Sequence, residues 1–198
     1  MRIEIRADGA RLSGYANVTG KRSRPVVTPH GKVVEEIEPG AFQGALSRAE
    51  NVTMTKDHNP DTVLAETRAG TLKLYEDDIG LRYEAYIVDE QTISEARAGK
   101  IRGLSFGMRN VKDDLEDRAE DLPLRKITEL DLDHITLAVN KIPYYSATSI
   151  EVRAGAEVDI ETRAMEQALE ITDAGTEKPG VPSFDNSAYQ ARVEAIKK

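Results

Sequence analysis

In the stretch Ile101–Val111, I-R-G-L-S-F-G-M-R-N-V, a serine stands between two glycines. Read as a strand, its side chains alternate between two faces. Leu104, Phe106 and Met108 then share a core face, while Gly103, Ser105 and Gly107 share the other. Glycine inside a strand marks a place where another backbone or a ligand comes close. Ser105 therefore sits on a face cleared of side chains, as a nucleophile for a bulky peptide would need. A serine hydroxyl becomes nucleophilic when a base within hydrogen-bond reach takes its proton. Imidazole, which titrates near neutrality, suits that role. The chain has three histidines. His58 closes a strand-like segment in Asp57-His58-Asn59-Pro60, and His134 lies within the alternating stretch Lys126–Val139. A plainer reading stays open: a bulged structural strand with an ordinary serine, and a surface histidine before an N-P turn. A metal site of His58, His134 and Asp57 is a rival use that no ligand spacing supports.

The elements that must hold these residues are mostly short strands. Arg2–Arg6 and Leu12–Val18 alternate about a D-G turn. The basic, proline-bearing segment Lys21–Gly31 reads as a mobile loop, and Val33–Ile37 resumes an extended form. Phe42, Ala45, Leu46 and Ala49 recur at helical spacing in Ala41–Glu50, and Asn51–Thr55 leads as a strand to His58. Gly70–Tyr75 and Leu81–Val88 form a hairpin. Thr92–Ala98 is a brief helix, with Thr92 as N-cap, Glu95 in the capping-box position and Gly99 closing it. The acidic Lys112–Pro123 segment reads as an exposed hairpin tip, without an EF-hand pattern. Leu130, Leu132 and His134 share one face of the next strand, so Asp133 points to the other face unless a bulge intervenes. A last strand covers Thr148–Arg153.

These strands predict an α+β, mainly β body over residues 1–153: a small closed or nearly closed β-barrel flanked by short helices. Residues 154–198 are expected to be a tail. Ile160, Ala164, Ala168 and Leu169 predict one amphipathic helix over Ile160–Ile171, and Asp173–Ser187 has the composition of a disordered segment. The net charge of −8 argues against nucleic-acid and anionic-membrane partners. The absence of cysteine excludes disulfides, thiolate metal sites and a thiol nucleophile. M-R-I-E-I-R contains no apolar h-region and no run approaches bilayer length, so an intracellular protein is expected.

The order of motifs resembles the prohead (procapsid) maturation proteases of tailed phages and prophages. The resemblance is carried by G-Y-A-N-V at 14–18, V-V-E-E-I-E-P-G-A-F at 33–42 and D-H-N-P-D-T-V-L-A at 57–65. It continues through G-T-L-K-L-Y-E-D-D-I-G-L at 70–81, G-K-I-R-G-L-S-F-G-M at 99–108 and L-D-H-I-T-L-A…I-P-Y-Y at 132–145. The family is similar in fold to the herpesvirus assembly proteases, a small β-barrel with a serine nucleophile. The resemblance implies Ser105 as nucleophile and His58 as general base. The third member is usually a Glu in L-x-E-V-S, and His134 in L-D-H-I-T stands at that position. The herpesvirus enzymes use a second histidine there. The oxyanion hole would come from the loop Asn140–Tyr145.

The resemblance thus implies a serine endopeptidase that processes the scaffold segment of the major capsid protein, and itself, inside the assembling procapsid in the host cytoplasm. It requires no cofactor or metal, involves neither nucleic acid nor membrane, and leaves a homodimer open. An extended substrate would add as a strand to an edge of the barrel. A catalytically weak or inactive assembly factor that keeps the protease fold is the alternative.

Overall fold

Alternating apolar residues set the layers. The computed structural model describes residues 1–28, 31–139, 149–153, 156–165 and 168–175. Strand β1 (Arg2–Arg6) buries Ile3 and Ile5 and exposes Arg2 and Arg6. It is followed by β2 (Gly9–Val18), β3 (Val26–Thr28), β4 (Gly31–Ile37), helix α1 (Ala41–Arg48), β5 (Thr53–Lys56) and β6 (Asn59–Glu66). Next come β7 (Leu72–Glu76), β8 (Gly80–Ile87), helix α2 (Glu90–Arg97), β9 (Gly103–Glu116) and β10 (Leu124–Ala138). The chain then gives β11 (Ser149–Arg153), β12 (Ala156–Met165) and β13 (Glu170–Asp173). The strands form a five-stranded sheet, β13-β1-β2-β8-β7, and an eight-stranded one along β11-β12-β9-β10-β4-β3, with β5 also on β10 and β6 on β5.

Both sheets contribute to one core. Ile3, Leu12, Leu81 and Tyr83 come from the first sheet, and Leu104, Phe106, Met108 and Ile135 from the second. Helix α1 lays Phe42 edge-on to Phe106, with ring centroids 5.5 Å apart. The Leu104, Phe106 and Met108 face of β9 is fully buried, as the alternation predicts. Among the described residues the chain is mainly β with two helices, and the sheets are not closed into a barrel. Alternation reports how many strands bury one face; closure depends on which edges pair, and that is a matter of hydrogen-bond register. No helix of the described residues is long and apolar enough to cross a membrane.

Local chemistry fixes the helix ends. Two backbone N–H groups at the start of α1, those of Gly40 and Gln43, donate to the Glu76 carboxylate of β7 at 2.8 and 2.7 Å. A carboxylate there satisfies orphan donors and meets the positive end of the helix dipole. Helix α2 starts earlier than its sequence pattern predicts. Asp89, not Thr92, is its N-cap, accepting from the Thr92 N–H at 2.7 Å, while Thr92 is buried in the first turn. Gly99 ends α2 at φ 66° as expected. Gly99 N–H bonds to the Ala96 carbonyl and Lys100 N–H to the Glu95 carbonyl, a Schellman arrangement.

Two segments depart from expectation. Val26–Thr28 in the basic loop pairs antiparallel with β4 as a short hairpin. The helix expected over Ile160–Ile171 is instead two strands: β12 runs antiparallel to β9, and β13 parallel to β1. Val158, Ile160 and Thr162 also alternate, and β-branched residues favour the pleated form. An available edge of β9 therefore decides between two periodicities that this sequence allows. Of the segment expected to be disordered, Asp173–Ser187, Asp173 instead ends β13 and Ala174 N–H donates to the Ile5 carbonyl, while the part beyond residue 175 lies outside the described residues.

Strand β12 is held by buried charge as well as by its ladder. Arg163 on β12 reaches Glu35 on β4 with two nitrogens, and Arg125 on β10 bonds Glu35 at 2.8 Å, Glu161 at 2.7 Å and Asp113 at 2.6 Å. Burial opposes charge on both Glu161 and Arg125. Their mutual hydrogen bonds and attraction outweigh it, holding the Glu161 carboxyl below its usual range and the Arg125 guanidinium above its own. Removing one member of a buried ion pair leaves the other charge stranded, at a cost of about 3–5 kcal/mol. Arg163→Ala is expected to lose about that much in a denaturant melt. The depressed Glu161 carboxyl contributes stability above the unfolded carboxyl value, about pH 4.3, and loses it as pH falls through the lower folded value. Glu161→Gln should therefore show a shallower loss of stability below about pH 4.3 than the natural chain, measured by denaturation across pH.

Candidate active site

His58 is placed by a strained two-residue hairpin loop. Lys56 pairs with Asn59, so Asp57 and His58 are the loop between β5 and β6. Their φ values are 51° and 59°, the left-handed conformation that such loops require. For non-glycine residues this costs roughly 1–2 kcal/mol each. The N-P step expected to form the turn instead opens β6, where Pro60 sits on a strand with one free edge among the described residues.

Three hydrogen bonds from β10 and its end offset the strain. Asp57 N–H donates to the Leu137 carbonyl at 3.0 Å. The Asp57 carboxylate accepts from Val139 N–H at 2.7 Å, and His58 N–H donates to Thr136 Oγ1 at 2.9 Å. Thr136 is buried, and its hydroxyl also bonds Thr55. A rare backbone conformation over-determined by its surroundings is characteristic of functional sites.

His134 meets His58 directly. His58 Nδ1 and His134 Nε2 are 2.8 Å apart, with the rings close to perpendicular at 81°. His134 is opposite Gly107 on β9. A Cβ at Gly107 would lie 2.6 Å from His134 Cε1 and 2.9 Å from its Nδ1, so the glycine clears space for this ring. The sequence reading assigned that cleared face to substrate; a buried imidazole fills part of it.

Asp133 departs from the simple alternation. Leu132 pairs with Met108 and His134 with Gly107, so the ladder slips at Asp133. The bulge turns the aspartate beside its neighbour, with Oδ2 2.8 Å from His134 Nδ1. Its other oxygen lies 3.4 Å from the Arg109 guanidinium. His58, His134 and Asp133 line a cleft of about 210 Å³ together with Thr53, Thr55, Pro60 and Val63.

Ser105 lies one strand over, on β9, in register with Thr136 of β10 and Ala164 of β12. Directly opposed residues on one face have Cβ atoms about 5 Å apart, so the hydroxyl that holds the His58 backbone belongs to the cross-strand neighbour of Ser105. Contrary to the open placement read from its glycine neighbours, Ser105 is 1% exposed. Its hydroxyl donates to the Arg163 carbonyl at 2.7 Å. With β10 on one side and β12 on the other, β9 offers no free edge at Ser105 for an added substrate strand. The loop Asn140–Tyr145, expected to supply oxyanion donors, lies outside the described residues. Among the described residues no three His, Cys, Asp or Glu side chains converge as a metal site.

Sequence reasoning selected Ser105, His58 and His134, and the fold sets the two histidines in contact on the face that Ser105 shares. It missed Thr136 and left the direction of Asp133 to a bulge, because a threonine's acceptor role and a one-residue bulge have no signal short of strand register. Thr136→Val keeps the shape and leaves the His58 N–H without its acceptor, so a loss of about 1–3 kcal/mol is expected in a denaturant melt. Gly107→Ala should cost a similar 1–3 kcal/mol and shift the His134 imidazole resonances.

A family model described as caudovirus prohead serine protease matches residues 1–165. No curated protein matches the chain. The family is one of serine peptidases with a role in capsid maturation, and the match includes β12, the strand that the periodicity of the tail had set apart. On this match the chain belongs to the caudovirus prohead serine protease family.

Proposed function

We propose that this protein is a serine endopeptidase that cuts the scaffold segment of a major capsid protein, and its own chain, within an assembling procapsid in the host cytoplasm. Ser105 is the nucleophile, His58 the general base and His134 the residue that orients His58. The observation that carries the reading is the 2.8 Å contact between His58 and His134, on the face of the sheet that also bears Ser105.

The chemistry follows from these groups. The Ser105 hydroxyl turns from the Arg163 carbonyl toward His58, and its oxygen attacks the scissile carbonyl carbon as His58 Nε2 takes the proton. The resulting imidazolium is steadied through Nδ1 by His134. The tetrahedral intermediate collapses, His58 gives its proton to the departing amine, and an acyl-serine remains. Water, deprotonated by His58, attacks the acyl carbon, and Ser105 regains its proton as the new carboxylate leaves. The cleft beside the histidines is the approach for an extended peptide.

The test is a time course of intact mass for the natural chain and Ser105→Ala, each co-expressed with the neighbouring capsid protein. Fragments of the capsid protein are expected only with Ser105 present. Equal fragments from both, or none from either, would remove Ser105 from the chemistry and with it the protease assignment of this site.

A further inference from the structure

Two imidazoles in contact have no polarity of their own. Each neutral ring carries one N–H and one bare nitrogen. The single hydrogen between His58 Nδ1 and His134 Nε2 can therefore sit on either atom. If it sits on His134 Nε2, His58 Nδ1 must accept, and the remaining hydrogen of His58 lies on Nε2. That is the wrong tautomer for a base, because Nε2 is the atom that must be bare to receive the Ser105 proton. If it sits on His58 Nδ1, Nε2 is bare.

Asp133 removes the ambiguity. An ionised carboxylate accepts and cannot donate, and Oδ2 lies 2.8 Å from His134 Nδ1. His134 Nδ1 then carries the hydrogen, His134 Nε2 is bare, and His58 Nδ1 donates to it across 2.8 Å. His58 Nε2 is left bare. The side chains of His134 and Asp133 are 6% and 11% exposed, so water competes little for either contact. The carboxylate is aimed by the bulge between Leu132 and His134 and by Arg109 on its other oxygen.

Resting on the protease reading above, we infer that Asp133 is a positioning residue of the active site, acting through His134 to set the tautomer of both histidines. It also places a negative charge two hydrogen bonds from the imidazolium that forms on His58. Its proton count does not change through the cycle: the hydrogen on His134 Nδ1 stays bonded between the two groups. Among the described residues, the charged neighbours of this chain include Arg109 of β9 and Asp57 of the His58 turn, the latter engaged with the Val139 N–H. Asparagine at 133 could turn its amide NH₂ toward His134 Nδ1 and reverse the whole chain.

The tautomers can be read without activity. In full-length protein labelled with nitrogen-15 histidine, at about pH 8 and above the ordinary imidazole titration, long-range proton–nitrogen spectra should show Nδ1–H on both His58 and His134. Asp133→Asn should move both toward Nε2–H. Cleavage of a capsid-derived peptide should fall about 100-fold in kcat, with KM little changed, by analogy with the about 10⁴-fold loss when a directly bonded triad aspartate is amidated. Asp133→Glu should recover part of the rate. Nε2–H on His134 of the natural chain, or unaltered tautomers in Asp133→Asn, would overturn the inference. If Asp133→Asn does not fold, the spectrum of the natural chain and of Asp133→Glu decides alone. Loss of the protease reading would show separately, as peptide cleavage that persists in Ser105→Ala.

Discussion

The register of one ladder governs this molecule. Strand β10 pairs antiparallel with β9 along one edge, and its other edge is shared end to end by β4 and β5. Thr136 faces Ser105, His134 faces Gly107, and the β5–β6 turn hangs from the far end of β10 by backbone and side-chain bonds. A shift of one residue would send every side chain to the opposite face. His134 would then meet the core, and the glycine space would hold nothing. The apolar faces of Leu104, Phe106 and Met108 make that shift expensive, so the core that stabilises the fold also sets the alignment of the site.

Strain and slack are distributed unevenly around this ladder. Asp57 and His58 occupy a conformation that glycine and asparagine adopt with least cost, and the bulge at Asp133 interrupts an otherwise regular strand. Both irregularities lie within the same few ångströms, and both aim a side chain that regular geometry would have pointed elsewhere. The remainder of the fold is conventional: Glu76 and Asp89 satisfy helix starts, Gly99 ends a helix, and buried arginine–glutamate pairs join β4, β10 and β12. Local rules are broken where chemistry is proposed and kept where only stability is needed.

Much of this was legible in the sequence. Period-two alternation located β1, β7, β8, β9 and β10, and the helical spacing of Phe42 and Ala45 located α1. Scarcity of histidine, with glycines about Ser105, singled out the candidate residues, two of which the fold brings into contact. What stayed hidden depends on contacts between distant segments. Whether the sheets close and where β10 bulges are matters of pairing, and composition carries none. The tail shows the limit most plainly. Ile160, Ala164 and Leu169 satisfy a helical period while Val158, Ile160 and Thr162 satisfy a strand period, and only the edge of β9 breaks the tie. The engagement of the Ser105 hydroxyl with the Arg163 carbonyl follows from that same pairing.

That pairing also places a boundary on how the chain can be shortened. Because β12 supplies the neighbour of β9 and the carbonyl that engages Ser105, and β13 extends the other sheet beside β1, both strands belong to the two layers. A nick inside β12 would unzip the strand next to Ser105 and leave Glu35 with Arg125 but without Arg163. The hold of β13 on β1 reaches Ala174, whose N–H donates to the Ile5 carbonyl at 3.0 Å. A cut within either strand would dismantle the ladder beside Ser105 or the one beside β1, so the two layers set which part of the chain must stay whole.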